Sequence, residues 1–361
     1  MNVRTLTAIP TIVLVLWAGG SSAAGKSSPG AVYTMTNDPS GNRVVIFDRD
    51  SKGVLTEADT VSTGGKGSGG PALDALGSQG SLVLSKDKRW LLAVNAGSNE
   101  ISVFRVVPNG LGLVGKVGSG GVFPVSVTTF RDLVYVLNAG TSPNITGFNL
   151  SQTGQLTALA NSRRSLSGGF AQVGFDPKGE TLVVTGKADS KILVFSVGKD
   201  GLPGPNPVVS ASNGPTPFGF VFDPRGRLFV TEAGSGAVSS YEIRSDDSLK
   251  VISGSVTNGQ KLTCWIDENG RFAFASNPGS GTISVYGIDP KEGGLSLMNG
   301  AAGSGNGNLD LSVAANGRFL YVLNAGNGTI GMFQIGSEGT LTSLGTVAGK
   351  LSIFAQGLAA R

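Results

Sequence analysis

The sequence predicts an all-β fold, a seven-bladed β-propeller of four-stranded blades closed by its own C-terminal strand. Three observations predict it. A strand–turn–strand unit recurs along the chain, glycine is abundant (57 of 361 residues) and concentrated between short β-type runs, and helical periodicity is absent from the mature chain. The repeated unit is an apolar run, then Asn-Ala-Gly or a variant, then a second β-run. Its copies are AVYTMTNDPSGNRVVIF from Ala31, WLLAVNAGSNEISVF from Trp90, LVYVLNAGTSPNITGF from Leu133 and TLVVTGKADSKILVF from Thr181. RLFVTEAGSGAVSSY from Arg227, RFAFASNPGSGTISVY from Arg271 and RFLYVLNAGNGTIGMF from Arg318 complete the set.

The first turn residue falls at Asn95, Asn138, Gly186, Glu232, Asn277 and Asn324, a mean period of about 46 residues that suits one four-stranded blade. The interval from Asn37 to Asn95 is 58 residues, the excess being a glycine-rich insertion around Thr63 to Gly77. Each full copy is preceded by another strand across a turn containing Asp-Pro, Asn-Gly or Lys-Gly, and followed by a weaker outer strand. The first copy lacks an innermost strand, while Ala355–Ala359 reads as an innermost strand with nothing after it. Pairing the two seals the ring and removes free sheet edges.

Alternate positions of the innermost strands are apolar, for example Leu84, Val127, Phe175, Val221, Ile266 and Val313, and face the packing between blades. The opposite positions then line the central channel. They give a polar rim with Gln79, Gln172, Lys261, Asn308 and Asp310, over an interior with Phe218, Phe220 and Trp265. The Asn-Ala-Gly turns place Lys187 and Glu232 at the same mouth. A concave, aromatic-floored site with a few polar groups suits a small organic ligand. Gln79, Gln172, Lys187, Phe218, Trp265 and Asn308 are therefore the expected ligand-binding residues.

Composition narrows the chemistry. There is no histidine, which removes the commonest general base and metal ligand, and the single cysteine, Cys264, permits no intrachain disulfide and reads as a small buried apolar residue. No metal and no cofactor is expected. The Gly65, Gly67, Gly70 spacing is followed by no helix to receive a pyrophosphate. Net charge is +4 without a basic stripe, so no nucleic-acid partner is expected. Asn144-Ile145-Thr146 and Asn327-Gly328-Thr329 match the glycosylation pattern. At the N-terminus, Arg4, the apolar stretch from Leu6 to Ala18 and the small residues Ser22-Ala23-Ala24 read as an export signal over residues 1–24. Residues 25–361 then form a single domain, secreted to the periplasm or exterior, monomeric and without a transmembrane segment.

The blade pattern resembles the lactonase-type seven-bladed propellers, which include bacterial 6-phosphogluconolactonase and fungal carboxymuconate lactonising enzyme. The stretches that carry it are GSQGSLVLSKDKRWLLAVNAGSNEISVF, GPTPFGFVFDPRGRLFVTEAGSGAVSSYEI and DLSVAANGRFLYVLNAGNGTIGMF, and the likeness extends over nearly the whole mature chain. The resemblance implies the fold, and a cleft in which family enzymes use histidine, arginine and glutamate. Glu232 and Arg227 are of matching types, but no residue here takes the histidine's place. Two functions follow as expectations. One is a secreted propeller that binds a small molecule, glycan or protein partner at its channel. The other is a lactonase- or cycloisomerase-like enzyme without histidine, with Glu232 or Asp310 as the base for water and Lys261 stabilising the oxyanion.

Overall fold

The computed structural model describes residues 29–70, 73–108 and 110–361; the export segment expected at 1–24 lies outside them. Seven antiparallel sheets form the ring, each from strands consecutive in sequence except the first. Blade 1 combines Gly30–Met35, Arg43–Arg49 and Leu55–Ser62 with the C-terminal Gln356–Ala360 as its innermost strand. The C-terminal strand pairs Tyr33 with Ala359 and Thr34 with Leu358. The innermost strands of blades 2 to 7 are Leu82–Leu84, Pro124–Phe130, Phe170–Phe175, Pro217–Phe222, Trp265–Glu268 and Asn308–Val313. Each packs on the next around the channel, and Gln356–Ala360 touches both Asn308–Val313 and Leu82–Leu84 to close the circle. Blade 3 carries a fifth short strand, Arg164–Ser165, which pairs with its third strand, Asn144–Leu150.

Burial follows strand position. Second strands such as Trp90–Asn95 and Phe319–Asn324 are buried along their whole length, whereas outer strands such as Gly110–Gly118 alternate toward solvent. This is why the second strands read as continuous apolar runs and the fourth strands as the weakest signal. Blades are also stitched by polar bonds. Tyr135 and Tyr321 donate their hydroxyls to the Gly201 and Gly53 carbonyls of neighbouring blades, at 2.8 and 3.0 Å. Among the described residues no helix is long and apolar enough to cross a membrane.

The ring has two faces. Innermost strands begin at the inlet face, where the Asn-Ala-Gly turns also lie, and finish at the outlet face, where the Asp-Pro turns lie.

Candidate functional site

The inlet half of the channel is filled by the chain itself. The glycine-rich insertion leaves blade 1, crosses the inlet face and descends into the channel before blade 2 begins. The Gly67 and Gly69 amides donate to the Asp38 and Asn37 carbonyls, at 2.9 and 3.0 Å. The Leu73 carbonyl accepts from Gln356 Nε2 at 2.9 Å. Lys187 Nζ donates to the Gly77 carbonyl, and Trp265 Nε1 donates to the Ser78 carbonyl at 2.9 Å. Gln79 then spans the channel. Its carboxamide exchanges two hydrogen bonds with the main chain of Ile266, at 2.9 and 3.0 Å, and its own amide donates to Ala171.

The structure thus brings Gln79, Lys187, Phe218 and Trp265 together, but around this plug. Phe218 and Trp265 meet edge to face at 5.1 Å and are buried with Ala171, Cys264 and Leu309. The Lys187 ammonium lies 5.4 Å from the centre of the Phe218 ring. The expected open, aromatic-floored inlet is therefore a packed one. Burial pushes the Cys264 thiol upward and holds the Asp74 carboxyl, bonded to the Gly77 amide and facing Lys187, at about 6.

The expected catalytic set does not converge. Glu232 is fully buried at the end of its strand, where its carboxylate accepts from the Gly214 amide (2.8 Å) and from Ser239 (2.6 Å), Ser255 (2.5 Å) and Ser235 (3.3 Å). It has the asparagine's structural task. Asn95 and Asn277 likewise bond a serine seven residues on, Ser102 and Ser284, at 2.8 Å each. Lys261 lies exposed on the loop before blade 6, its amide bonded to Ser280 Oγ. Asp310 does face the channel. It is buried, accepts from the Gly357 amide at 2.9 Å, and burial followed by the charge of Asp74 raises its carboxyl well above the ordinary range. The cavity that Asp310 lines includes neither Glu232 nor Lys261, so base and oxyanion partner are not brought to one substrate. Asn308 turns to the neighbouring blade and donates to the Thr282 carbonyl at 2.7 Å. Gln172 ties blades 4 and 5 by two bonds to Phe220, at 2.7 and 3.0 Å.

Below the plug the channel is open. Two neighbouring cavities of about 440 and 310 Å³ share Gly80, Val83, Gln172, Phe220 and Val221. The larger adds Thr128, Phe175, Phe222, Lys86 and Glu268; the smaller adds Lys88, Asp267, Ser312 and Asp310. Their sizes suit small ligands. Asp267 accepts from the Val313 and Glu268 amides, at 2.8 and 2.9 Å, yet burial holds its carboxyl at about 6. Burial, then the charges of Asp267 and Asp223, push Glu268 to about 7, against the bond it accepts from the Gly270 amide. Burial lowers the Lys88 ammonium, against the opposing charge of Asp267. Asp267 thus faces Lys88 across the smaller cavity, and Glu268 lines the larger one. A larger groove of about 850 Å³ runs outside the ring past Arg225, Glu242, Asp247 and Lys250. Its charges pair in solvent, as Lys250 and Glu242 do at 3.0 Å, and they converge on nothing.

Sequence reasoning missed Lys88, Asp267 and Glu268. Lys88 carried a signal. It sits at the turn position where blades 4 to 7 have Gly179, Gly226, Gly270 and Gly317.

Comparison with known proteins agrees with the architecture. The family described as lactonase, 7-bladed beta-propeller, matches residues 32–169, the first three blades. No curated protein sequence matches the chain. Among solved structures, a Lactobacillus plantarum protein is 18% identical, with 92% of this chain and 99% of that one covered and a TM-score of 0.74. A Bacteroides uniformis protein described as a candidate 6-phosphogluconolactonase is 18% identical over 92% and 100% of the two chains, with a TM-score of 0.73. The periplasmic gluconolactonase of Pseudomonas aeruginosa is 16% identical over 91% and 99%, with a TM-score of 0.73. The chain is a lactonase-like propeller in fold, and at these identities the solved structures speak for the fold alone.

Proposed function

We propose that this lactonase-like propeller is an exported protein that takes a small, neutral, oxygen-rich organic molecule into the outlet half of its channel. One observation carries the reading: the inlet half is sealed by Ser78 and Gln79, while the outlet half keeps about 440 and 310 Å³ of joined space, with Lys88, Asp267 and Glu268 beside Phe220 and Phe222. The export-type N-terminus, and the periplasmic naming of one structural neighbour, support a location outside the cytoplasm.

A second reading, hydrolysis of a lactone in the same cavity, is favoured by Glu268. A carboxyl at about 7 is suited to take a proton from water and return it to the ring oxygen. Asp310 lines the adjoining cavity, and burial raises its carboxyl well above the ordinary range, which suits it to donate a hydrogen bond there.

Calorimetric titration of residues 25–361 with D-glucono-1,5-lactone, gluconate and glucose, alongside a lactone hydrolysis assay, tests both readings. Binding should be abolished by Val83→Trp, which fills the space the two cavities share, and any hydrolysis should fall at least ~10-fold in Glu268→Gln. A folded protein that binds none of the three compounds, or binds them equally well as Val83→Trp, overturns the proposal. Binding without hydrolysis removes the second reading only.

A further inference from the structure

One lysine of the outlet cavity breaks the blade repeat in a way that costs backbone energy. The turn between first and second strands uses a left-handed residue, and blades 4 to 7 put glycine there: Gly179, Gly226, Gly270 and Gly317, with φ of +73°, +85°, +83° and +69°. Blade 2 puts Lys88 there, at φ +59°, although a side chain in this region costs ~1–2 kcal/mol. Non-glycine residues held in this region cluster at active sites and ligand clamps. Lys88 lines the smaller cavity, among Leu82, Leu84, Ile266 and Leu358. Among the described residues its ammonium forms no ion pair and no side-chain hydrogen bond; Asp267 acts on it only at longer range.

A lysine in such a place serves as a point charge for an anion or as an amine nucleophile. The local charge decides between them. Asp267 stands on the same wall and repels an anion, whereas a neutral carbonyl compound is not repelled. The apolar neighbours favour the uncharged amine, and Asp267 supplies a carboxyl in the same cavity. We propose that Lys88 forms a reversible imine with a small neutral aldehyde or ketone drawn into the outlet half of the channel. This rests on the reading that the outlet cavity is the ligand site.

The step balances without an oxidant or reductant. Lys88 Nζ, as the free amine, attacks the carbonyl carbon; a C–N bond forms and the π electrons pass to oxygen. Proton transfer from nitrogen to that oxygen gives the carbinolamine. A carboxyl proton from Asp267, which lines the same cavity, then protonates the hydroxyl, water leaves as the C=N bond forms, and the remaining nitrogen proton returns to the carboxylate. Amine and carbonyl become imine and water, and Asp267 ends as it began.

The test is a short pulse of glycolaldehyde with sodium cyanoborohydride on residues 25–361 at neutral pH, followed by peptide mass mapping. Lys88 should be labelled ~10-fold faster than the exposed Lys52 and Lys199, because the cavity holds the carbonyl compound beside its amine. Val83→Trp should remove labelling at Lys88, and Asp267→Asn should slow it, with Lys52 and Lys199 unchanged in both. Labelling of Lys88 no faster than of the two exposed lysines, or unaffected by Val83→Trp, overturns the proposal. Ligand binding by calorimetry is read separately. A protein that binds gluconolactone but shows no preference for Lys88 loses the imine and keeps the cavity.

Discussion

Glu232 and Lys88 both depart from the blade repeat, and their side chains meet very different surroundings. Glu232 looks chemical because it is a carboxylate among asparagines at a turn, but it accepts four hydrogen bonds and ties strands as its counterparts do. Lys88 looks like an ordinary turn lysine, because its left-handed backbone is invisible until the turns are superimposed. The physical difference is that a carboxylate at a strand end finds local donors, whereas a lysine in a glycine's conformation does not find local compensation. Restoring the repeat should therefore stabilise the protein. Lys88→Gly is expected to raise the unfolding free energy by ~0.5–1 kcal/mol, the relief of left-handed strain less the added freedom of glycine in the unfolded chain. Urea unfolding measures it. A variant less stable than the parent would mean that the Lys88 side chain is held by contacts worth more than its strain.

At the scale of elements, the innermost strands and the turns were legible from period and alternation, and the insertion was not. Its length was plain, but its fate was set by main-chain carbonyls meeting Lys187, Trp265 and Gln356, and no residue type encodes such partners. One residue did carry a trace. Gly219 interrupts the apolar innermost strand of blade 5, and a Cβ there would lie 2.1 Å from Gln79 Oε1. The glycine is the space into which Gln79 reaches across the channel. Gln79→Ala should leave the Ile266 amide and carbonyl without partners in a buried place, at a cost of ~2–3 kcal/mol. The same experiment on Gln172→Ala reports the cost for a residue that ties adjacent blades rather than opposite ones. A Gln79→Ala variant as stable as the parent would show that the plug seals the inlet without bracing the ring.

For the whole molecule, the ring was legible because each blade is local in sequence and, among the described residues, only one strand pairing, Gly30–Met35 with Gln356–Ala360, is long-range. The electrostatics of the channel were not, since they arise only when seven strand ends converge and exclude water. That convergence sets the pH dependence of stability. Asp74 and Asp267 are held at about 6, Glu268 at about 7, and Asp310 well above the ordinary range, all chiefly by burial. For each, the folded protein holds its proton more tightly than the unfolded chain does. Their contribution is complete below the unfolded values and is lost as pH rises through 6 to 7, at ~1.4 kcal/mol for each group and each decade. The opposing carboxyls, Asp38, Asp87, Glu100, Asp246 and Asp289, are lowered by hydrogen bonds and, at Asp87 and Glu100, by the paired cations Arg89 and Lys116. They lose their contribution only in stronger acid, below the range in question. Lys88 and Lys187, lowered by burial, regain theirs only in alkali. Between pH 5 and 8 the raised carboxyls therefore act unopposed, and the melting temperature should fall by several degrees across that interval. Combining Asp74→Asn with Glu268→Gln should flatten the slope without reversing it, because Asp267 and Asp310 remain. A melting temperature that rises from pH 5 to 8 would mean that these carboxyls meet water or a cation in solution, and that the channel is wetter than its packing implies.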